Sequence, residues 1–183
     1  MPQVLLNNGS TFSYPASWKC EELEGRVKLL GPESDFSVNC LVLPTVEQVA
    51  EKAWQQVYPH FDLKVAQQLS LPSVWLGGFW ESGQQIVYDI PLSESRTVMA
   101  LVRNYQNQAY ISLIEATNAA LQRRGAELGQ IMGSWKPHGA QEQSLKEGEP
   151  RQWSEEQFKD FDKFIELGMQ QLRIPGFAIA IVD

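Results

Sequence analysis

Thr97-Val98-Met99-Ala100-Leu101-Val102-Arg103-Asn104-Tyr105, then Gln106-Asn107-Gln108, then Ala109-Tyr110-Ile111-Ser112-Leu113-Ile114-Glu115 is the stretch that decides the fold. Two strand-like apolar runs flank three polar residues, the pattern of antiparallel strands joined by a hairpin turn. A parallel pair would need a crossover of a dozen or more residues, and none intervenes. Upstream, residues 63–96 keep the same chemistry. Lys64 to Leu71 reads as a strand before Pro72, Val74 to Trp80 as another, and Gln85 to Ile90 as a third, closed by Pro91. Ser82-Gly83 reads as a hairpin turn, and Gly77-Gly78 as a bulge or a close backbone approach within the Val74–Trp80 strand.

Further out, the chain opens with strands at Phe12-Ser13-Tyr14, Arg26 to Leu30 and Phe36 to Leu43, punctuated by Pro15, Gly31-Pro32 and Pro44. A helix follows over 45–58. Thr45-Val46-Glu47-Gln48 has the spacing of a capping box, and Val46, Val49, Ala50, Ala53, Trp54, Val57 and Tyr58 recur at helical period before Pro59. The other side, with Glu47, Glu51, Lys52, Gln55 and Gln56, reads as solvated. A second helix begins at Thr117 or Asn118 and places Leu121, Gly125, Leu128, Met132 and Trp135 on one side, with Arg123, Arg124 and Glu127 pointing away. Strands, helix, strands, helix, linked by hairpins, predict an α+β domain over 1–137: an antiparallel sheet covered by helices.

Residues 138–153 carry almost no large apolar side chains and read as a linker. The pattern then restarts. Ser154-Glu155-Glu156-Gln157 is a second capping box, and Phe158, Phe161, Phe164, Ile165, Gly168 and Leu172 form an apolar helix face. Ile174-Pro175-Gly176 breaks that helix before the wholly apolar Phe177–Val182, a strand that needs cover on both faces. With no partner strand before Asp183, residues 154–183 are expected to be the truncated start of a second, α/β domain.

The composition is that of an ordinary globular chain, 43% hydrophobic and 20% charged, with six Trp, eight Phe and five Tyr. A net charge of −7 without a basic stripe argues against nucleic acid as a partner. Met1 to Asn7 lacks a charged start, and its apolar run is too short for a signal peptide or a membrane span. The compartment is cytoplasmic if this N-terminus is the native one. A disulfide between Cys20 and Cys40 requires their segments to pair; two buried free thiols are the simpler reading.

Two resemblances extend this reading. The helix running through Ile174-Pro175-Gly176 into Phe177–Val182 and Asp183 resembles the opening of the β-lactamase-related serine hydrolases, the group of class C β-lactamases and D,D-peptidases. That resemblance implies a catalytic domain continuing beyond Asp183, with a Ser-x-x-Lys nucleophile pair and a Tyr-x-Asn element. The first 137 residues, from Phe12, Pro15 and Trp18 to the closing Ser134-Trp135-Lys136-Pro137, resemble the PsbP-like and DcrB-like fold, whose members are mostly binding or assembly modules.

Possible chemistry within the chain is sparse. No Ser-x-x-Lys occurs; Ser17-Trp18-Lys19 and Ser134-Trp135-Lys136 put Lys on a different side from Ser. Tyr105-Gln106-Asn107 mimics the Tyr-x-Asn element but lies in a hairpin turn ahead of any hydrolase domain. His60, with Asp62 to orient its ring, lacks a nucleophile elbow, and His138 sits in the linker. Arg123-Arg124 reads as a solvated face near a helix C-terminus. Trp75, Phe79 and Trp80 cannot all face one side of a regular strand unless the glycines bulge it; the core is the leading destination, and the alternative is that one of them lines a groove or contacts the missing domain. No catalytic, cofactor-binding or metal-binding residue is assigned, and no cofactor is expected. The sequence thus predicts a non-catalytic accessory or binding domain at the front of a β-lactamase-related serine hydrolase. Its partners would be that missing catalytic domain and a small molecule or protein held by the first domain. The alternative is a stand-alone PsbP-like or DcrB-like binding or assembly module.

Overall fold

The structure is a computed structural model that describes residues 1–76, 78–141, 154–172, 176 and 178, with backbone alone at 74, 75 and 172. The chain divides into two compact units, residues 1–142 and 143–183. The first is built on the hairpin quoted above. Strands β8 (Arg96–Tyr105) and β9 (Gln108–Thr117) pair in continuous antiparallel register from Arg96 opposite Thr117 to Tyr105 opposite Gln108. Gln106 and Asn107 both take positive φ, 47° and 61°, the conformation of the two-residue turn that matches strand twist.

Around this hairpin lie β3 (Lys19–Leu23), β4 (Arg26–Leu30), β5 (Phe36–Pro44), β6 (Val65–Pro72) and β7 (Ser82–Tyr88), in the spatial order β3-β4-β5-β9-β8-β7-β6, every pair antiparallel. A separate ribbon of β1 (Gln3–Leu5) and β2 (Thr11–Ser13) joins the end of the long helix, because Thr11 and Lys136 exchange both backbone hydrogen bonds. The α+β, antiparallel-sheet class expected from the sequence is the class observed.

Two helices cover the two faces. Helix α3 (Asn118–Ser134) starts at Thr117, whose hydroxyl accepts from Ala120 N–H at 3.1 Å. It lays Ala120, Leu128, Ile131 and Met132 over Phe36, Val38, Cys40, Tyr110 and Ile114. Helix α1 (Val49–Val57) packs Ala50, Ala53 and Trp54 on the opposite face, over Leu41, Ile111 and Leu113. Trp54 stacks on Phe61 with centroids 4.7 Å apart, and both meet Tyr88 edge-on.

Local readings differ from the structure in four places. The capping box at Thr45 is not made: Thr45 N–H is held by Asn107 O at 2.9 Å, extending the sheet, and the helix begins only after Gln48, at φ 54° and without a side-chain cap. Val74–Trp80 is not a strand. A short helical turn, α2 (Ser73–Leu76), leads to Gly78 at φ 64°, so this segment is itself the link between β6 and β7. Ser82-Gly83 is no turn but the start of β7, opposite Pro72 and Leu71. A Cβ on Gly83 would lie 2.8 Å from Val102 O and 3.0 Å from a Leu76 methyl, so close packing rather than chain reversal asks for glycine there. Finally, Arg124 and Glu127 do not point away. Arg124 is gripped by Glu33 at 2.8 Å and Glu127 at 3.1 Å, and the Glu127 carboxylate accepts from the Trp18 indole, while Gly125 is the exposed position.

In the second unit, α4 (Glu155–Leu172) begins with the expected capping box. Ser154 Oγ accepts from Gln157 N–H at 3.2 Å and Gln157 Oε1 accepts from Ser154 N–H at 2.9 Å. Phe161, Ile165 and Gly168 are half-buried and Phe158 is exposed. Of the expected strand after it, Phe177 and Ile179–Val182 lie outside the described residues, as do Ile174 and Pro175 of the turn.

Candidate functional site

A nine-residue helix is about 13 Å long, whereas seven strands at about 4.8 Å spacing make a sheet nearly 30 Å wide. Helix α1 contacts β5 and β9, and among the described residues of the first unit no other helix lies over the β6–β7–β8 end of its face. The result is a cavity of about 620 Å³, within the range that holds small ligands or peptide side chains. Its floor is Ile86, Tyr88, Val102 and Asn104, with Gln84 and Gln68 toward the sheet edge. Its walls are the start of α1 and the Phe61-Asp62-Leu63 segment.

The electrostatics of this hollow are one-sided. Glu47, Glu51 and Asp62 line it, and among the described residues no Lys, Arg or His does. On the floor, Asn104 Nδ2 donates to Ser82 Oγ at 2.9 Å, while Asn104 Oδ1 is buried with no hydrogen-bond partner among the described residues. Tyr88 presents a phenol that burial pushes up to about 12, so it stays a neutral hydroxyl at any physiological pH. Carboxylates beside an apolar floor suit a ligand with an apolar body and a cationic end.

Of the residues singled out by sequence, Asp62 lies at this hollow, but His60 is exposed and no hydrogen bond joins the two among the described contacts. Tyr105 ends β8 and packs edge-on against Phe79, with Gln106-Asn107 forming the turn itself. His138 lies over Gly9, where a Cβ would come within 2.6 Å of its ring. Arg123 pairs with Asp35 at 3.0 Å; with Arg124 it braces the 31–35 turn against α3. Cys20 and Cys40 are free thiols on different strands, the first half-buried, the second fully buried. Trp80 goes to the core and Phe79 packs beside it; the Trp75 side chain and Gly77 lie outside the described residues. No metal-binding group of three His, Cys, Asp or Glu is gathered among the described residues.

Sequence reasoning missed two things. Glu47 and Glu51 are exposed, as the sequence suggests, but that they also line a hollow is not visible locally, because nothing in a short window shows that the sheet is wider than the helix above it. Arg103 was passed over. It is 4% exposed, its guanidinium 4.2 Å from the Trp80 ring and 5.5 Å from the Trp135 ring, with Nη1 donating to Met132 O at 2.6 Å. Burial lowers its pKa to about 10, so it is still charged at neutral pH. The aromatic faces and the carbonyl at the C-terminal end of α3 stand in for a carboxylate. Its signal was available: Met99, Leu101, Arg103 and Tyr105 alternate along one face of a strand.

No family model matches the chain, and no curated protein matches it by sequence. Among solved structures, it is similar to one from Bacteroides thetaiotaomicron VPI-5482 at 9% identity and a TM-score of 0.37, over 96% of this chain and 63% of that one. It is also similar to the solution structure of cyanobacterial PsbP (CyanoP) from Synechocystis sp. PCC 6803, at 10% identity and a TM-score of 0.53, over 75% of this chain and 92% of that one. At that identity the likeness is one of fold alone, and the fold of the first unit is PsbP-like.

Proposed function

We propose that residues 1–142 form a non-catalytic binding module whose site is the acidic hollow beside α1. The observation that carries this reading is a cavity of about 620 Å³ whose lining, among the described residues, holds three carboxylates and no cation over an apolar floor. Such a site selects against phosphates and other anions, and it favours ammonium or guanidinium groups. The test is a titration with 2-phenylethylamine, read from the methyl resonances of Ile86 and Val102. Those signals should move with the amine and stay still with phenylacetate. An equal response to both, or to neither, rejects the site.

The resemblance of Ile174–Asp183 to the opening of β-lactamase-related hydrolases supports placing this module in front of such a catalytic domain, as its accessory domain. Reading the coding sequence beyond Asp183 tests that placement. A Ser-x-x-Lys pair within the following domain supports it, and a continuation without one removes it.

A further inference from the structure

The two edges of the sheet are defended unequally. Edge strand β3 is five residues long and carries Lys19, Glu21 and Glu22. Charges of that kind deter another chain from pairing. The opposite edge, β6, reads Val-Ala-Gln-Gln-Leu-Ser-Leu-Pro: eight residues, no charge, and proline only at the end. A register shift between Val65 and Gln67 twists its start, but Gln67 to Leu71 pair regularly with Gln84 to Val87 and Gly83 of β7. Among the described residues, β7 is the only strand beside β6, and no other backbone hydrogen bond reaches Gln67–Leu71. Alternate N–H and C=O groups along that stretch therefore face outward, as on any edge strand.

The acidic hollow opens onto this same edge, since Val65 and Gln68 are part of its lining. We infer, resting on the hollow being the binding site, that β6 is a docking edge. An extended segment of a partner protein adds to the sheet beside β6 and seats a lysine or arginine side chain among Glu47, Glu51 and Asp62. Strand addition supplies affinity through main-chain hydrogen bonds, while a pocket for alternate side chains supplies specificity. Residues of the added strand alternate between faces, so every second one projects on the side of the hollow. Charge decides the occupant. A second copy of this chain would bring a β6 without a single cation, from a molecule of net charge −7. A basic extended peptide brings what the hollow lacks.

The experiment uses the full chain and a blocked eight-residue peptide, the length of β6, alternating lysine with valine and threonine. Binding should shift the Ile86 and Val102 methyls and slow hydrogen exchange at the Gln67–Leu71 amides. Methylating alternate peptide nitrogens should weaken it about tenfold or more, as should a combined Glu47→Gln, Glu51→Gln, Asp62→Asn variant. A peptide with glutamate for lysine should not bind. If the lysine peptide moves the cavity methyls but leaves β6 exchange unchanged and tolerates N-methylation, strand addition is overturned and the cavity reading survives. If neither the peptide nor 2-phenylethylamine moves those methyls, both fall. Equal binding of the lysine and glutamate peptides overturns the proposal. So does concentration-dependent protection of β6 in dimers without peptide, which would make the occupant a second copy.

Discussion

The face of the sheet under α3 and the face under α1 share the same seven strands and differ in how they are closed. Under α3, seventeen residues of helix, the β1–β2 ribbon and the aromatic group of Phe12, Trp80, Tyr110 and Trp135 seal the surface so fully that even Arg103 is enclosed. Under α1, nine residues of helix and the Phe61 segment form the cover, and an acidic hollow lies beside them over Ile86, Tyr88 and Val102. Sealing concentrates stability; incomplete cover creates a site. The two faces should therefore respond very differently to substitution.

The largest effect is expected at the centre of the sealed face. Trp135 is fully buried, tilted against Phe12 and edge-on to Tyr110 at 5.7 Å, with its indole N–H donating to Ser10 Oγ. Trp135→Ala should cost about 3–5 kcal/mol of unfolding free energy. Gln84→Ala, on the open floor, should change it by less than about 0.5 kcal/mol. Urea denaturation of the two variants measures both, and equal losses would break the contrast.

Arg103 sharpens it. Arg103→Ala leaves a gap between two indole rings and removes the donor to Met132 O, so a loss of about 2–4 kcal/mol is expected. Arg103→Met refills most of that volume and removes a buried charge whose Nε and Nη2 have no hydrogen-bond partner among the described residues. Its cost should be smaller, below about 1.5 kcal/mol. If Arg103→Met were as damaging as Arg103→Ala, the cation itself would hold the face together, not the packing around it.

A pH profile probes the same enclosure. Burial pushes the Cys40 thiol from its ordinary 9.0 to about 12. Below pH 9 the thiol is protonated in folded and unfolded chains alike, so its contribution is complete. Above pH 9 the unfolded chain releases the proton and the folded chain keeps it, so stability is lost as pH rises, by up to about 1.4 kcal/mol per pH unit. Cys20 is shifted in the same direction but is only half-buried. Tyr88 joins above pH 10, because burial has raised it to about 12. Cys40→Ala should therefore flatten the fall between pH 9 and 10, and an unchanged slope there would mean that the face admits hydroxide.

The β8–β9 hairpin, the limits of β4 and the start of α3 at Thr117 or Asn118 were legible because each is fixed by neighbours in sequence, although the turn is Gln106-Asn107 alone and Gln108 already belongs to β9. What failed depended on distant residues. Gly83 is glycine because Val102 and Leu76 crowd it, not because the chain turns. Arg124 and Glu127 are drawn in by Glu33 and Trp18, about ninety and one hundred residues away in sequence. The hollow depends on the ratio of sheet width to helix length, a quantity no window of sequence contains. Its Asp62 was noticed only as a partner for His60, which the structure does not make it.

The smallest contrast lies in how the helices start. Thr45-x-x-Gln48 and Ser154-x-x-Gln157 have the same capping spacing, yet only the second closes reciprocally. At Ser154 the backbone N–H is available to Gln157. At Thr45 it is taken by Asn107 O across the sheet, and Gln48 turns into the left-handed region before α1 begins. The start of α1 is thus left without a side-chain cap, at the rim of the hollow, whereas α3 is capped by Thr117, whose hydroxyl also reaches Asp35. Replacing a working cap by alanine costs about 1 kcal/mol. Thr117→Ala should lose about that much in urea denaturation, and Thr45→Ala should lie within about 0.5 kcal/mol of the parent, since its hydroxyl caps nothing. A Thr45→Ala loss matching that of Thr117→Ala would mean that α1 is capped in solution after all. The mouth of the hollow would then be narrower than the structure shows, and the two faces less different.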